Sequence, residues 1–187
     1  MKLRNLVLGL GVAALSLFLS VGAMASEQTI SEQGIARVQE SVQKNVRHEL
    51  NMLPYVNAFD YMTFTVDANG NVTLNGEVTN PMVKSDASNA VKRVEGVGHV
   101  DNKIQVLPLS FLDNGLRARL YRTIYGYGPL QRYAMGVEKP IRIIVENGHV
   151  TLLGVVDNQG DKILAGMRAN EVPGAFSVDN QLIVVKG

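Results

Sequence analysis

The sequence predicts an α+β protein built from two tandem αββαβ units, each a three-stranded mixed sheet with two helices on one face. Three observations predict it. Residues 69–106 align without a gap on 147–184 at an offset of 78, with 16 of 38 positions identical, where average composition gives about two or three by chance. Within each copy the apolar residues pass from helical spacing to alternation and back. Asn69-Gly70 and Asn147-Gly148 fall at the same place in both copies, and glycine there accepts the positive φ of a tight hairpin.

In the first copy Ile35, Val38, Val42, Val46, Leu50 and Leu53 recur at helical spacing, and Pro54 stops the helix. Met62, Phe64 and Val66 alternate as a strand, and Val72, Leu74, Gly76 and Val78 alternate on the returning one. Asn80-Pro81 opens a second helix, with Asn as cap and Pro at the first helical position. Its apolar face is Val83, Ala87, Val91 and Val94, and the third strand carries Val100, Ile104 and Val106.

The second copy repeats the order: a helix around 116–127, a long loop over 129–140, strands at 141–146 and 150–156, a helix at 159–171 and a strand at 178–185. The hairpin makes the first two strands antiparallel. The crossover helix makes the second and third parallel, with a right-handed connection. Gly76 and Gly154 are expected to permit close helix–strand packing. A unit of about 70 residues is marginal alone, so the copies are expected to support each other.

The chain opens with a positive stretch, Met1-Lys2-Leu3-Arg4, followed by an apolar run from Leu6 to Gly22 and Ala23-Met24-Ala25. This reads as a secretory signal over 1–25, cleaved before Ser26, with a retained membrane anchor as the competing reading. Setting aside Lys2 and Arg4 leaves 16 of the 18 basic residues against 17 acidic ones, a net charge near −1, which argues against nucleic-acid binding. The absence of cysteine excludes disulfides, thiolate metal sites and cysteine nucleophiles. The expected location is the periplasm, as a protein that is not a lipoprotein.

The pattern Gly70-x-Val72-x-Leu74-x-Gly76-x-Val78, then Val94-x-Gly96-Val97-x-x-Val100-x-Asn102-x-Ile104-x-Val106, resembles the BON domain (bacterial OsmY and nodulation). The second copy matches through Gly148, Val150, Leu152, Gly154, Val156, Ala165, Val172, Gly174, Val178, Asn180, Leu182 and Val184. The resemblance implies envelope proteins of the osmotically inducible type that bind phospholipid or a membrane surface and support envelope integrity under stress. One branch is anchored through an N-terminal cysteine, which this chain lacks. The expected organisation is a signal at 1–25, an N-terminal segment at 26–33, BON domains at 34–107 and 114–187, and a linker at 108–113.

No catalytic constellation is visible, and no cofactor or metal is expected. His48, His99 and His149 have no partner at ligand spacing. Asp67-Ala68-Asn69-Gly70-Asn71 lacks the closing glutamate of a calcium loop and reads as a hairpin turn.

Two features stand out. Arg117, Tyr121 and Tyr125 form a helical stripe at i, i+4 and i+8, joined by Arg122, Arg132 and Tyr133, with no acid between Leu116 and Val137. Arginine pairs with phosphates and tyrosine favours the headgroup level, so these six residues are the candidate anionic-phospholipid contact. The bland alternative is a rim of core tyrosines with solvated arginines. The second feature is aliphatic. On the first sheet the face away from the helices carries Thr63, Thr65, Thr73, Asn75, Glu77, Lys103 and Gln105, which belong in water. The matching face of the second sheet carries Ile144, Leu153, Val155, Ile183 and Val185. That face should be covered, by the apolar linker 107–112, the first unit or another subunit. A protein-interaction or chaperone-like stress factor using this face, with an envelope protein as partner, is the rival to lipid binding. The oligomeric state stays open.

Overall fold

The computed structural model describes residues 19–136 and 138–185, with side chains from residue 34 onward. Helix α1 (Leu19–Asn51) leads to the hairpin β1 (Tyr61–Val66) and β2 (Val72–Val78), helix α2 (Pro81–Val91), and two short strands β3 (Val100–Asn102) and β4 (Gln105–Val106). The second unit repeats this with α3 (Phe111–Tyr125), a 3-10 helix (Gly128–Ala134), β5 (Ile141–Glu146), β6 (His149–Val156), α4 (Gln159–Asn170), β7 (Ser177–Asn180) and β8 (Ile183–Val184). The expected α+β architecture of two tandem units is what the chain adopts. Residues 1–18 of the expected signal lie outside the described residues, and α1 already runs across the expected cleavage point before Ser26. No described helix is long and apolar enough to cross a membrane.

In each sheet the central strand pairs antiparallel with its hairpin partner and parallel with the two short strands on its other side. The third strand is broken in both units by one asparagine. Asn102 Nδ2 donates to the Lys84 carbonyl at 2.8 Å and its Oδ1 accepts from Ile104 N–H at 3.2 Å. Asn180 does the same with Lys162 at 2.6 Å and Leu182 at 3.3 Å. The repeated asparagine thus ties the strand to the helix and satisfies backbone groups that the ladder releases.

Asn80 and Asn158 cap α2 and α4, accepting from Met82 N–H and Asp161 N–H at 2.9 Å each. Asp67 holds the first hairpin turn by accepting from Asn69 N–H and Asn71 N–H at 2.8 Å. The side-chain and backbone bonds from Asn71 draw its carboxyl below the ordinary value. Gly76 and Gly154 have φ of 127° and 106°, and a Cβ would stand 2.0 Å from the carbonyl oxygens of Tyr61 and Pro140. Their role is therefore close approach of the two hairpin strands, not of helix to strand as expected.

The first core gathers Val42, Val46 and Leu50 of α1 with Val72, Leu74, Val78, Val83, Ala87 and Ile104. Ile35 and Val38, on the same stripe, stay exposed. The second core gathers Leu116, Leu120 and Ile124 with Ile141, Ile143, Val145, Leu152 and Ala165. Ala58 from the first unit is buried within it. The segment read as a loop over 129–140 contains the 3-10 helix, which puts Leu130 and Tyr133 into that core. Helix α3 starts at Phe111, inside the expected linker 108–113.

Candidate functional site

The Arg117, Tyr121, Tyr125 stripe lies along the outer edge of β5. Edge strands leave alternate N–H and C=O groups unpaired, and here the outward groups belong to Ile141, Ile143 and Val145. Tyr125 donates its hydroxyl to the Ile141 carbonyl at 2.5 Å and accepts from Ile141 N–H at 3.2 Å. Ile143 N–H donates to the Ala58 carbonyl at 2.8 Å. Arg117 donates Nη2 to the Val145 carbonyl at 2.5 Å and Nη1 to Asn114 Oδ1 at 2.6 Å. Tyr121 fills the space between, its ring centroid 4.8 Å from Tyr125 and 6.1 Å from Phe59.

Burial follows from this arrangement. Arg117 is 4% exposed, and desolvation pulls its guanidinium below the ordinary value, with Asp113 and Asp60 opposing. Desolvation pushes the Tyr125 phenol far above the ordinary range. Arg117, expected to pair with phosphates, and Tyr125, expected at the headgroup level, are instead buried and close a sheet edge.

Arg132 and Tyr133 are engaged at the start of α4. Tyr133 donates to Asp161 Oδ2 at 2.6 Å and accepts from Asp157 N–H at 2.9 Å, and desolvation is the main cause raising its phenol. Arg132 pairs with Asp157 at 3.1 Å and also with Asp161, and lies over the Tyr133 ring. These two fasten the 3-10 helix to the second unit. Of the six expected lipid residues, Arg122 keeps an exposed guanidinium, bonded only to the Ala118 carbonyl of its own helix among the described residues.

The aliphatic face of the second sheet is only partly covered. Ile144 is buried and Leu153 half-buried, whereas Val155, Ile183 and Val185 are 41%, 61% and 52% exposed. The linker does not cover them, since only Leu107 of its apolar residues is buried. The polar face of the first sheet, in turn, is not wholly in water: Glu77 is half-buried, and burial first, then the charge of Glu146 across the units, raises its carboxyl above the ordinary value.

A different apolar surface emerges at one end of the second unit. Leu109, Phe111, Leu112 and Phe176 are 95%, 92%, 81% and 78% exposed. Ser110 caps α3 by accepting from Asp113 N–H, which sets Phe111 and Leu112 on its first turn. Asp113 accepts from Asn147 N–H and Gly148 N–H at 3.0 and 2.9 Å, so the hairpin tip is held against this turn. A Cβ on Gly148 would stand 2.7 Å from the Phe176 ring, which brings Phe176 to the same end. The exposed Arg119 folds its guanidinium back toward Gly115 and Gly174, 3.3 and 3.1 Å from where a Cβ would stand. The linker run that carries Leu109, Phe111 and Leu112 was the sequence signal for this surface. Its exposure depended on where the helix begins.

Among the described residues no three His, Asp or Glu side chains are placed to hold a metal ion. The chain is 31% identical over 147 residues, 76% of its length and 68% of the relative's, to the outer membrane lipoprotein DolP of Haemophilus influenzae. That relative corrects the expectation of a protein that is not a lipoprotein. The exclusion rested on one missing residue type, cysteine, and the sequence similarity runs to a lipoprotein all the same. Two solved chains of CdsD, a structural protein of the type III secretion system of Chlamydia trachomatis, superpose loosely. The first has a TM-score of 0.33 and 13% identity over 77% of this chain and 92% of that one. The second, its C-terminal domain, has a TM-score of 0.28 and 14% identity over 76% and 96%. Superpositions this loose carry no structural argument. The model of the BON domain matches residues 39–108 and 134–186, and the chain therefore belongs to the BON-domain family.

Proposed function

We propose that this protein is a non-catalytic component of the cell envelope that attaches to anionic phospholipid surfaces through the apolar end of its second unit. The observation that carries the reading is the exposure of Leu109, Phe111, Leu112 and Phe176 around one hairpin tip. Four large apolar side chains in one place are more than the scattered exposure ordinary for a surface. Moving such side chains out of water is worth about 1.5 kcal/mol or more each when burial is full. Arg119 and Arg122 stand behind them on the exposed side of α3, and a cation near an anionic surface adds about 1 kcal/mol. The combination fits shallow, reversible attachment. Membership of the BON family and likeness to an outer membrane lipoprotein support an envelope setting.

Vesicle flotation tests this. The protein should float with vesicles of phosphatidylglycerol and phosphatidylethanolamine and remain below those of phosphatidylcholine. Phe111→Ser with Leu112→Ser should abolish flotation without lowering Tm, because both side chains are exposed. Equal flotation of parent and double variant would reject the site.

A further inference from the structure

The two hairpin edges of this molecule are treated differently. Met62, Phe64 and Val66 of β1 oppose Gly76, Leu74 and Val72, just as Ile141, Ile143 and Val145 oppose Gly154, Leu152 and Val150. Asp67 N–H bonds the Asn71 carbonyl at 3.0 Å. That bond fixes the alternation, so Met62, Phe64 and Val66 turn their backbone groups away from β2. The helix stripe beside this edge is Gln43, Arg47 and Asn51. Each stands one residue beyond a core position of α1, as Arg117, Tyr121 and Tyr125 do on α3. All three are exposed, and among the described residues no group bonds the outward edge of β1.

This uncapped edge runs along a groove of about 960 Å³ between the units. Arg47 and Leu50 flank it on one side, Lys139, Pro140 and Val155 on the other. Leu53, Val56 and Phe64 give it half-buried apolar surface. Val155 pairs in register with the exposed Ile183, so the apolar wall continues out of the groove.

We propose that the groove docks an extended segment of a partner polypeptide, which adds to β1 as a further strand and sets alternate apolar side chains against Leu53, Val56 and Val155. The equivalent edge of β5 already takes a backbone partner from elsewhere in the chain: in the turn from Asn57 to Asp60, the Ala58 carbonyl accepts from Ile143 N–H and the Ala58 side chain is buried against the second core. The groove also continues that interface, since Arg142, which lines it, donates to the Asn57 carbonyl at 2.8 Å. A second copy pairing through its own β1 would bring the same walls of α1 and residues 138–140 against these, whereas a lone strand meets no such obstacle. Six residues of β1 extend about 20 Å, which suits a segment of about seven residues.

Fluorescence anisotropy of the whole chain with a labelled Thr-Val-Thr-Val-Thr-Val-Thr peptide tests the proposal. Saturable binding with a Kd below about 1 mM is expected. The fully N-methylated peptide, which keeps the side chains and loses every backbone donor, should bind at least about tenfold more weakly. Gln43→Arg with Arg47→Tyr and Asn51→Tyr copies the stripe that caps β5, and should cut binding by about tenfold or more with Tm kept or raised. Val66→Pro deletes an outward donor without touching a β2 bond, and gives the same loss independently of that design. No saturable binding by the parent overturns the proposal, as does equal binding of the N-methylated peptide or of both variants. A concentration-dependent dimer abolished by Val66→Pro would assign the edge to a second copy instead, and overturns it too.

Discussion

The hydroxyl of Tyr125 serves both backbone groups of Ile141, donating to its carbonyl at 2.5 Å and accepting from its N–H at 3.2 Å. One side chain thereby does at this point what a neighbouring strand would do. Tyr125→Phe keeps the ring and strips both bonds. It should destabilise the protein by about 2 kcal/mol, since buried backbone groups lose their partner. Urea denaturation followed by circular dichroism reads this, and an unchanged midpoint would show that water replaces the phenol without cost.

Arg117 supplies the other end of the same edge. Arg117→Met removes the bond to the Val145 carbonyl together with a buried charge, whereas Arg117→Ala also opens a cavity. The alanine variant should be the less stable of the two, by about 2 kcal/mol or more. Equal loss in the two would mean that packing of the side-chain stem contributes little.

Burial first, and then the charge of Glu146, holds the half-buried Glu77 carboxyl above its ordinary value. A raised folded value means that the folded state holds its proton to higher pH than the unfolded chain. Stability is thus unaffected below the unfolded value, falls as pH rises through it, and stays reduced above the folded value. Glu77→Gln should raise Tm at pH 7 and leave it unchanged at about pH 4, near the unfolded value. A variant with the parent's Tm at pH 7 would place the two carboxylates in effective solvent.

Gly76→Ala and Gly154→Ala should each cost about 2 kcal/mol or more, because positive φ and a carbonyl 2.0 Å from the new Cβ act together. A matched loss in both would confirm that the repeats use glycine for the same approach of strands.

Hydrogen exchange distinguishes the two edges directly. The amides of Met62 and Phe64 should exchange about tenfold or more faster than those of Ile141 and Ile143, which have partners in Tyr125 and Ala58. Equal protection would mean that β1 has a partner of its own.

Much of the fold was legible because its determinants are local. The offset of 78 marked the repeat, Asn-Gly the hairpins and Asn80-Pro81 a helix start. Spacing also placed Arg117, Tyr121 and Tyr125 on one helical stripe, but spacing says nothing of what a stripe faces. Its partner is the edge of β5, between 16 and 28 residues away along the chain, and that long-range contact turns exposed-looking arginine and tyrosine into buried caps. Arg132 was similarly read without Asp157 and Asp161, which lie beyond the hairpin. The stretch over 129–140 was read as a loop, yet a 3-10 helix forms there and buries Leu130 and Tyr133 in the second core. The apolar end went unread for the opposite reason: Leu109, Phe111 and Leu112 sit in a run that looked like a cover for the sheet, and only the Ser110 cap turns them outward.

The chain contains no tryptophan, so Phe111→Trp places a single reporter at the proposed membrane contact. Titration with vesicles of phosphatidylglycerol and phosphatidylethanolamine should shift its emission to the blue, and lipids brominated near the headgroup should quench it more than those brominated at the chain ends. Tyr121→Trp, beside the capped edge of β5, should show neither change. Emission at position 111 that stays that of exposed indole at saturating anionic lipid, unquenched by either bromolipid, would contradict attachment through this end of the second unit.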